Sequence, residues 1–167
     1  MPNTPDQLPL EFLLDSWDRN NTILLNLLRL LPKGALEDKA TESSPSIAQQ
    51  YTHIHHERLV SVFEEAPEYA ANVPEEEWRV EEDPDRIAQM LTESARAVRE
   101  AVKGRTLAGR NMDLNFDHPI LMLQFMLWHE GYHFGQIKLA LKIMGHPIPD
   151  DQAGPFTWDV WKQRRSS

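Results

Sequence analysis

Residues 117–145, DHPILMLQFMLWHEGYHFGQIKLALKIMG, read as one long apolar helix with two histidines, His129 and His133, set into its face. Side chains four apart lie one turn above each other on the same side of a helix, so both imidazoles reach a single point. Asp117 stands as a cap before His118-Pro119, and Gly145 with Pro147 beyond it marks the end. Counted from His129, the same face carries Met122, Met126, His133, Ile137, Ala140 and Met144, and it is expected to lie against the interior of a bundle. An interior imidazole loses water at two nitrogens, each of which must find a partner. A metal ion is one such partner, and a third ligand from elsewhere in the chain would decide the matter.

Three further helices are expected upstream. The first, over 10–31, repeats apolar residues at three and four, as in Leu13, Trp17, Leu24, Leu27, Leu28 and Leu31, and Pro32 and Gly34 stop it. The second opens at Ser44-Pro45 and runs through SIAQQYTHIHHERLVSVFEE, with Ile47, Ile54, Val60 and Phe63 as core contacts. The third starts at Asp83-Pro84 and ends at Gly104, with Ile87, Leu91, Val98 and Val102 on one stripe. Between the second and third lies 64–85, EEAPEYAANVPEEEWRVEEDPD, an acidic connection punctuated by proline, in which Tyr69 and Trp78 are placed to pin the chain to the bundle or to line a pocket mouth. The stretch 105–116 is a further connection with room for a short extended piece. After Gly145 only FTWDVWKQ has helical character, and Phe156, Trp158 and Trp161 are expected to pack down.

Four amphipathic helices without an alternating strand or a repeat point to an all-α fold, a four-helix bundle, over a single domain of 1–167 with its core at 8–145 and a tail at 146–167. The long connection at 64–85 leaves a simple up-down-up-down order open. The last helix is apolar beyond one stripe, at Leu121, Phe125, Leu127 and Trp128, which suits a second subunit and predicts a homodimer.

The 167 residues contain no cysteine, so a metal must rest on His, Asp or Glu. The net charge of -9 argues against nucleic acid as the main partner, since backbone binding is driven by Lys and Arg. The one basic cluster, Lys162, Arg164 and Arg165, reads as a solvated end. No signal peptide or uninterrupted apolar span is evident, which leads to the expectation of a soluble cytoplasmic protein without a membrane partner.

Several metal chemistries compete for the histidines. His129-Glu130-Gly131-Tyr132-His133 matches the His-Glu-x-x-His helix of zinc peptidases, in which the glutamate is the general base. The longer metzincin form asks for Gly at 136 and His at 139, where Gln136 and Leu139 stand, and no glutamate follows Glu130. A di-iron carboxylate site needs a second Glu-x-x-His, and no other His has Glu three positions before it. The remaining reading adds one histidine of the second helix to the pair. His53, His55 and His56 fall within one turn there, and His55 is rotated by about 200° from His53, so at most two of the three are interior. Three neutral imidazoles around a divalent ion leave a position for water or a bound anion such as a thiolate.

The pieces SIAQQYTHIHHERL and LWHEGYHFGQI resemble the DinB/YfiT-like metalloenzymes, with one histidine in a His-Ile context in the second helix and His-x-x-x-His followed by Gly135-Gln136 in the last long helix. The resemblance implies His53, His129 and His133 as metal ligands, with His56 as the substitute if His53 is misassigned. It implies a four-helix bundle in up-down-down-up order, often a homodimer, and a divalent metal, with zinc and nickel leading. The activity it implies is transfer or isomerisation involving a low-molecular-weight thiol such as bacillithiol, mycothiol or glutathione, with a small-molecule electrophile as partner. Around such a site Glu130 is a candidate base or ligand-orienting group, and equally a surface or outer-shell carboxylate. Gln136 is a candidate for hydrogen bonding a bound ligand, Gly135 for close helix approach, and Glu57 for pairing with a metal-bound ring. The competing class is a non-catalytic bundle in which an ion only ties the second helix to the fourth.

Overall fold

Each of the four periodic stretches forms a long helix in the computed structural model, which describes residues 7–163. They are α1 (Gln7–Leu30), α2 (Ile47–Glu65), α3 (Pro84–Leu107) and α4 (Pro119–Ile143), followed by a short α5 (Asp150–Ala153) and two 3-10 segments, Gly154–Phe156 and Trp158–Lys162. Among the described residues there is no strand, so the fold is all-helical. None of these helices is long and apolar enough to cross a membrane. Arg164 and Arg165 of the basic tail lie outside the described residues, and Lys162 pairs with Asp159 at 2.7 Å.

The helix starts follow local chemistry. Ser46, not Ser44, caps α2: its hydroxyl accepts from Gln49 N while Gln49 Oε1 accepts from Ser46 N, a reciprocal box that satisfies two orphan donors. Asp83 caps α3, with proline at its first position. For α4 the cap is His118 rather than Asp117, its Nδ1 accepting from Ile120 N. The third helix runs past Gly104 to Leu107. That glycine is there for contact, since a Cβ on it would lie 1.8 Å from the Tyr69 hydroxyl.

Helical stripes decide the interior. On α2 the buried series is Ile47, Tyr51, Ile54, Arg58 and Val62, a repeat of four and three. Phe63 stands one position off that series and is exposed, and Val60 is only half-buried, which corrects both as core contacts. On α4 the face holds as expected from Met122 to Ala140, but Met144 lies beyond the end of the helix and is half exposed. Two apolar clusters result, one around Leu24, Tyr51 and Ile137, the other around Trp17, Val98 and Met122. The helix α3 touches each of the other three, and Trp17 Nε1 donates to Ala95 O at 2.9 Å to tie it to α1.

The connections are held by buried polar groups. The stretch after α3 has no extended piece. Arg105 holds it, bonding Glu68 and Asp113 with both arms of its guanidinium, and Glu65 accepts from the backbone of Leu114 and Asn115. These contacts to Arg105 hold the Glu68 and Asp113 carboxyls below their usual range. In the tail Ile148, Ala153 and Val160 are buried, whereas Phe156, Trp158 and Trp161 keep two-fifths or more of their surface in solvent, contrary to the expectation that they pack down. Backbone carbonyls anchor the tail instead, Phe156 O accepting from Asn26 Nδ2 and Val160 O from Arg19.

Candidate metal centre

The helix α4 brings His129 and His133 together at one turn's spacing, and α2 supplies His53 opposite them. Their Nε2 atoms converge, at 3.1 Å between His53 and His129 and 3.2 Å between His133 and His129. The ligand atoms of all three lie within 4.8 Å of one another. A ring nitrogen carries one lone pair or one proton, so His129 Nε2 cannot complete hydrogen bonds to both neighbours. A cation shared by three lone pairs resolves this. Metal–nitrogen bonds of about 2.0–2.1 Å place neighbouring nitrogens about 2.9–3.4 Å apart, the spacing seen here. The donor set fits a divalent transition metal, and the group brought together is the one expected from the resemblance, with His53 and not His56 as third member.

The electrostatics keep these rings neutral. Burial, followed by the neighbouring His53 and Arg58, pushes His129 down to about 4. Burial, followed by His129 and His53, pushes His133 down to about 3. His53 is also lowered by burial, against the opposing pull of Glu77. Above about pH 6.5 both folded and unfolded chains carry neutral imidazole; below it the unfolded chain takes up protons that the folded metal-free site refuses, so stability decreases as the pH is lowered. Thermal melts of metal-stripped protein are therefore expected to lose stability steadily from pH 6.5 towards 4, and a His129→Asn/His133→Asn double variant to lose less. Equal pH slopes for both proteins would contradict the neutral, buried assignment.

Aromatic rings wall the centre. Trp78 stacks face to face on His53, with centroids 4.0 Å apart and planes 4° from parallel. Phe125 stacks on His129 at 5.9 Å, and Tyr132 meets His133 edge-on at 5.1 Å. Trp78 thus does what the acidic connection was expected to do. Glu77 Oε1 lies 2.8 Å from His53 Nδ1, close in distance without being an aligned hydrogen bond. Glu57, expected as the partner of a ligand ring, accepts from Ser61 instead.

Glu130 is elsewhere engaged. Arg58 Nε donates to Glu130 Oε1 at 2.6 Å and Arg58 Nη2 to Oε2 at 2.8 Å, and Asn20 also donates to Oε2. Both charged side chains are buried, with 0% and 1% of their surface exposed. Arg58 Nη1 reaches Asn21 Oδ1 of α1 and Leu91 O of α3, and the guanidinium lies 4.9 Å over the Trp17 ring. One guanidinium therefore joins all four long helices behind the histidines. A peptidase helix would present this glutamate to a water beside the metal; here both of its oxygens are occupied by Arg58 and Asn20.

The residues flanking the pair on α4, and the histidines outside the trio, divide as follows. Gln136, one turn beyond His133, is half-buried and makes no side-chain hydrogen bond within the described residues. Gly135 is exposed, and an added Cβ there would meet nothing, so close packing within the described chain does not require it. His55 is buried on the far side of α2 and its Nδ1 donates to Met90 O, His118 is a helix cap, and His146 pairs with Asp38 at 2.6 Å.

Neither curated proteins nor solved structures yield a match to the chain. The DinB family model matches residues 1–164, and with helices alone carrying a convergent histidine trio, the chain belongs to the DinB family.

Proposed function

We propose that His53, His129 and His133 hold one divalent cation, zinc or nickel by preference, and that the protein is a metal-dependent S-transferase or isomerase that works with a low-molecular-weight thiol. The observation that carries this reading is the meeting of three neutral Nε2 atoms from two helices. When bound, an ion in such a nitrogen set supplies Lewis acidity that lowers the pKa of a thiol or water reaching it. Three protein ligands are the complement of an open site, whereas structural sites close with four. Trp78, Phe125 and Tyr132 beside the histidines offer apolar faces to a small electrophile. In this reading Gln136 hydrogen bonds the bound ligand. In this reading Glu130 braces α4 against Arg58 and is not the base.

The same reading takes the four long helices as a four-helix bundle in up-down-down-up order, in a cytoplasmic homodimer. The exposed face of α4, with Leu121, Trp128, Tyr132 and Leu139 each at least half exposed, supports the dimer.

The function is tested by incubating zinc-loaded, nickel-loaded and metal-stripped protein with a panel of thiols and carbon electrophiles. The readouts are thiol consumption and the mass of the S-conjugate. Metal-loaded protein is expected to accelerate conjugation with at least one pair. Equal rates with and without metal across the panel would favour an ion that only ties α2 to α4.

A further inference from the structure

We propose that Glu77 is the positioning carboxylate of this centre, fixing the ring of His53 so that its Nε2 lone pair faces His129 and His133; this rests on the three-histidine reading. A neutral imidazole carries its proton on either nitrogen, and only the form protonated at Nδ1 offers Nε2 as a ligand. Glu77 Oε1 stands 2.8 Å from that Nδ1. His129 and His133 are set relative to one another by one helix, while His53 arrives alone from α2.

The segment that carries Glu77 is built onto the same helix as His53. Gln49 Nε2 donates to Trp78 O at 2.9 Å and Thr52 Oγ1 donates to Arg79 O at 2.6 Å. Both anchors lie within the turn of α2 that precedes His53, so the residues flanking Glu77 are registered to the ring they address. Trp78 then covers the ring's face. With its face against indole and a carboxylate oxygen 2.8 Å from its Nδ1, the imidazole has neighbours that favour one ring orientation and the proton on Nδ1. The Glu77 side chain is 45% exposed, so its charge is kept at little desolvation cost. Three neutral ligands leave a divalent charge uncompensated, and Glu77 places a negative charge one ring away. Glu75 and Glu76, its neighbours in the same acidic run, have no such contact among the described residues.

Zinc affinity measured by competition with a chromogenic chelator tests this, using the full chain and its Glu77→Ala, Glu77→Gln, Glu57→Ala and His133→Ala variants. Glu77→Ala is expected to weaken zinc binding roughly 10–100-fold, the usual cost of losing an outer-shell partner. Glu77→Gln, which keeps an acceptor oxygen, recovers part of the loss. Glu57→Ala removes an equal charge from the neighbourhood of His53 without touching Nδ1, and leaves affinity little changed. Nitrogen-detected NMR of metal-free protein is expected to show His53 protonated at Nδ1 in the parent and a tautomer mixture in Glu77→Ala. Parent-like affinity in Glu77→Ala, or an equal loss in Glu57→Ala, would overturn the assignment while leaving the histidine site intact. Parent-like zinc binding in His133→Ala would instead overturn the three-histidine reading and this assignment with it.

Discussion

Glu130→Ala is expected to lower the unfolding free energy of the metal-stripped protein by about 3–5 kcal/mol, the cost of breaking a buried ion pair from one side. The truncation leaves the Arg58 guanidinium fully buried, its Nε without its carboxylate and its charge without compensation. Arg58→Ala leaves the carboxylate stranded in the same way, with Asn20 as its remaining donor. Replacing both together, as Arg58→Met/Glu130→Leu, removes both charges and is expected to recover most of the loss, because well-packed apolar residues often match a buried pair. Urea unfolding followed by circular dichroism measures all four proteins, and stripping the metal keeps binding energy out of the comparison. A Glu130→Ala protein of near-parent stability would mean that the carboxylate is not committed to Arg58 and would return it to candidacy as a catalytic base.

The limits of sequence reading show in this pair. The four long helices, and the placing of His129 and His133 on one face, were legible because helical periodicity is local. His53 could be chosen over His55 and His56 only through the family resemblance. The partnership of Arg58 with Glu130 spans 72 residues, which no local pattern joins. A signal was nevertheless present: Arg58 falls four after Ile54 and seven after Tyr51, and Glu130 four after Met126 and seven before Ile137, so each charge interrupts an apolar stripe. Two opposite charges at interior positions of different helices invite pairing. The contact of Glu77 with His53 had no comparable mark. It lies in an acidic run without periodicity, and what selects Glu77 over Glu75 and Glu76 is the anchoring of Trp78 and Arg79 by Gln49 and Thr52. An opening of the second helix at Ser44-Pro45 falls two residues before the observed cap because Ser44 and Ser46 both offer a hydroxyl ahead of the helix, and only Ser46 has Gln three residues on.

The second large effect concerns the histidines themselves. Alanine at His53, His129 or His133 is expected to reduce zinc or nickel affinity beyond the roughly 10–100-fold attached to outer-shell losses, since a direct bond is removed. The helical signal is expected to survive each change, because the interior around the site is set by Met122, Met126, Ile54 and the Arg58 pair and not by the imidazoles. His53→Ala is the most informative of the three: it removes the only ligand from α2 and leaves the i, i+4 pair of α4 intact, a pair that many helices present without holding metal. A loss confined to His129 and His133 variants would describe a site of two histidines on one helix.

X-ray absorption of the zinc-loaded protein, with elemental analysis of the same samples, counts the ligands directly. The predicted result is one zinc per chain with three imidazoles in its shell, falling to two in His53→Ala together with the loss of affinity. Zinc held as tightly and with an unchanged imidazole count after His53→Ala would contradict the account.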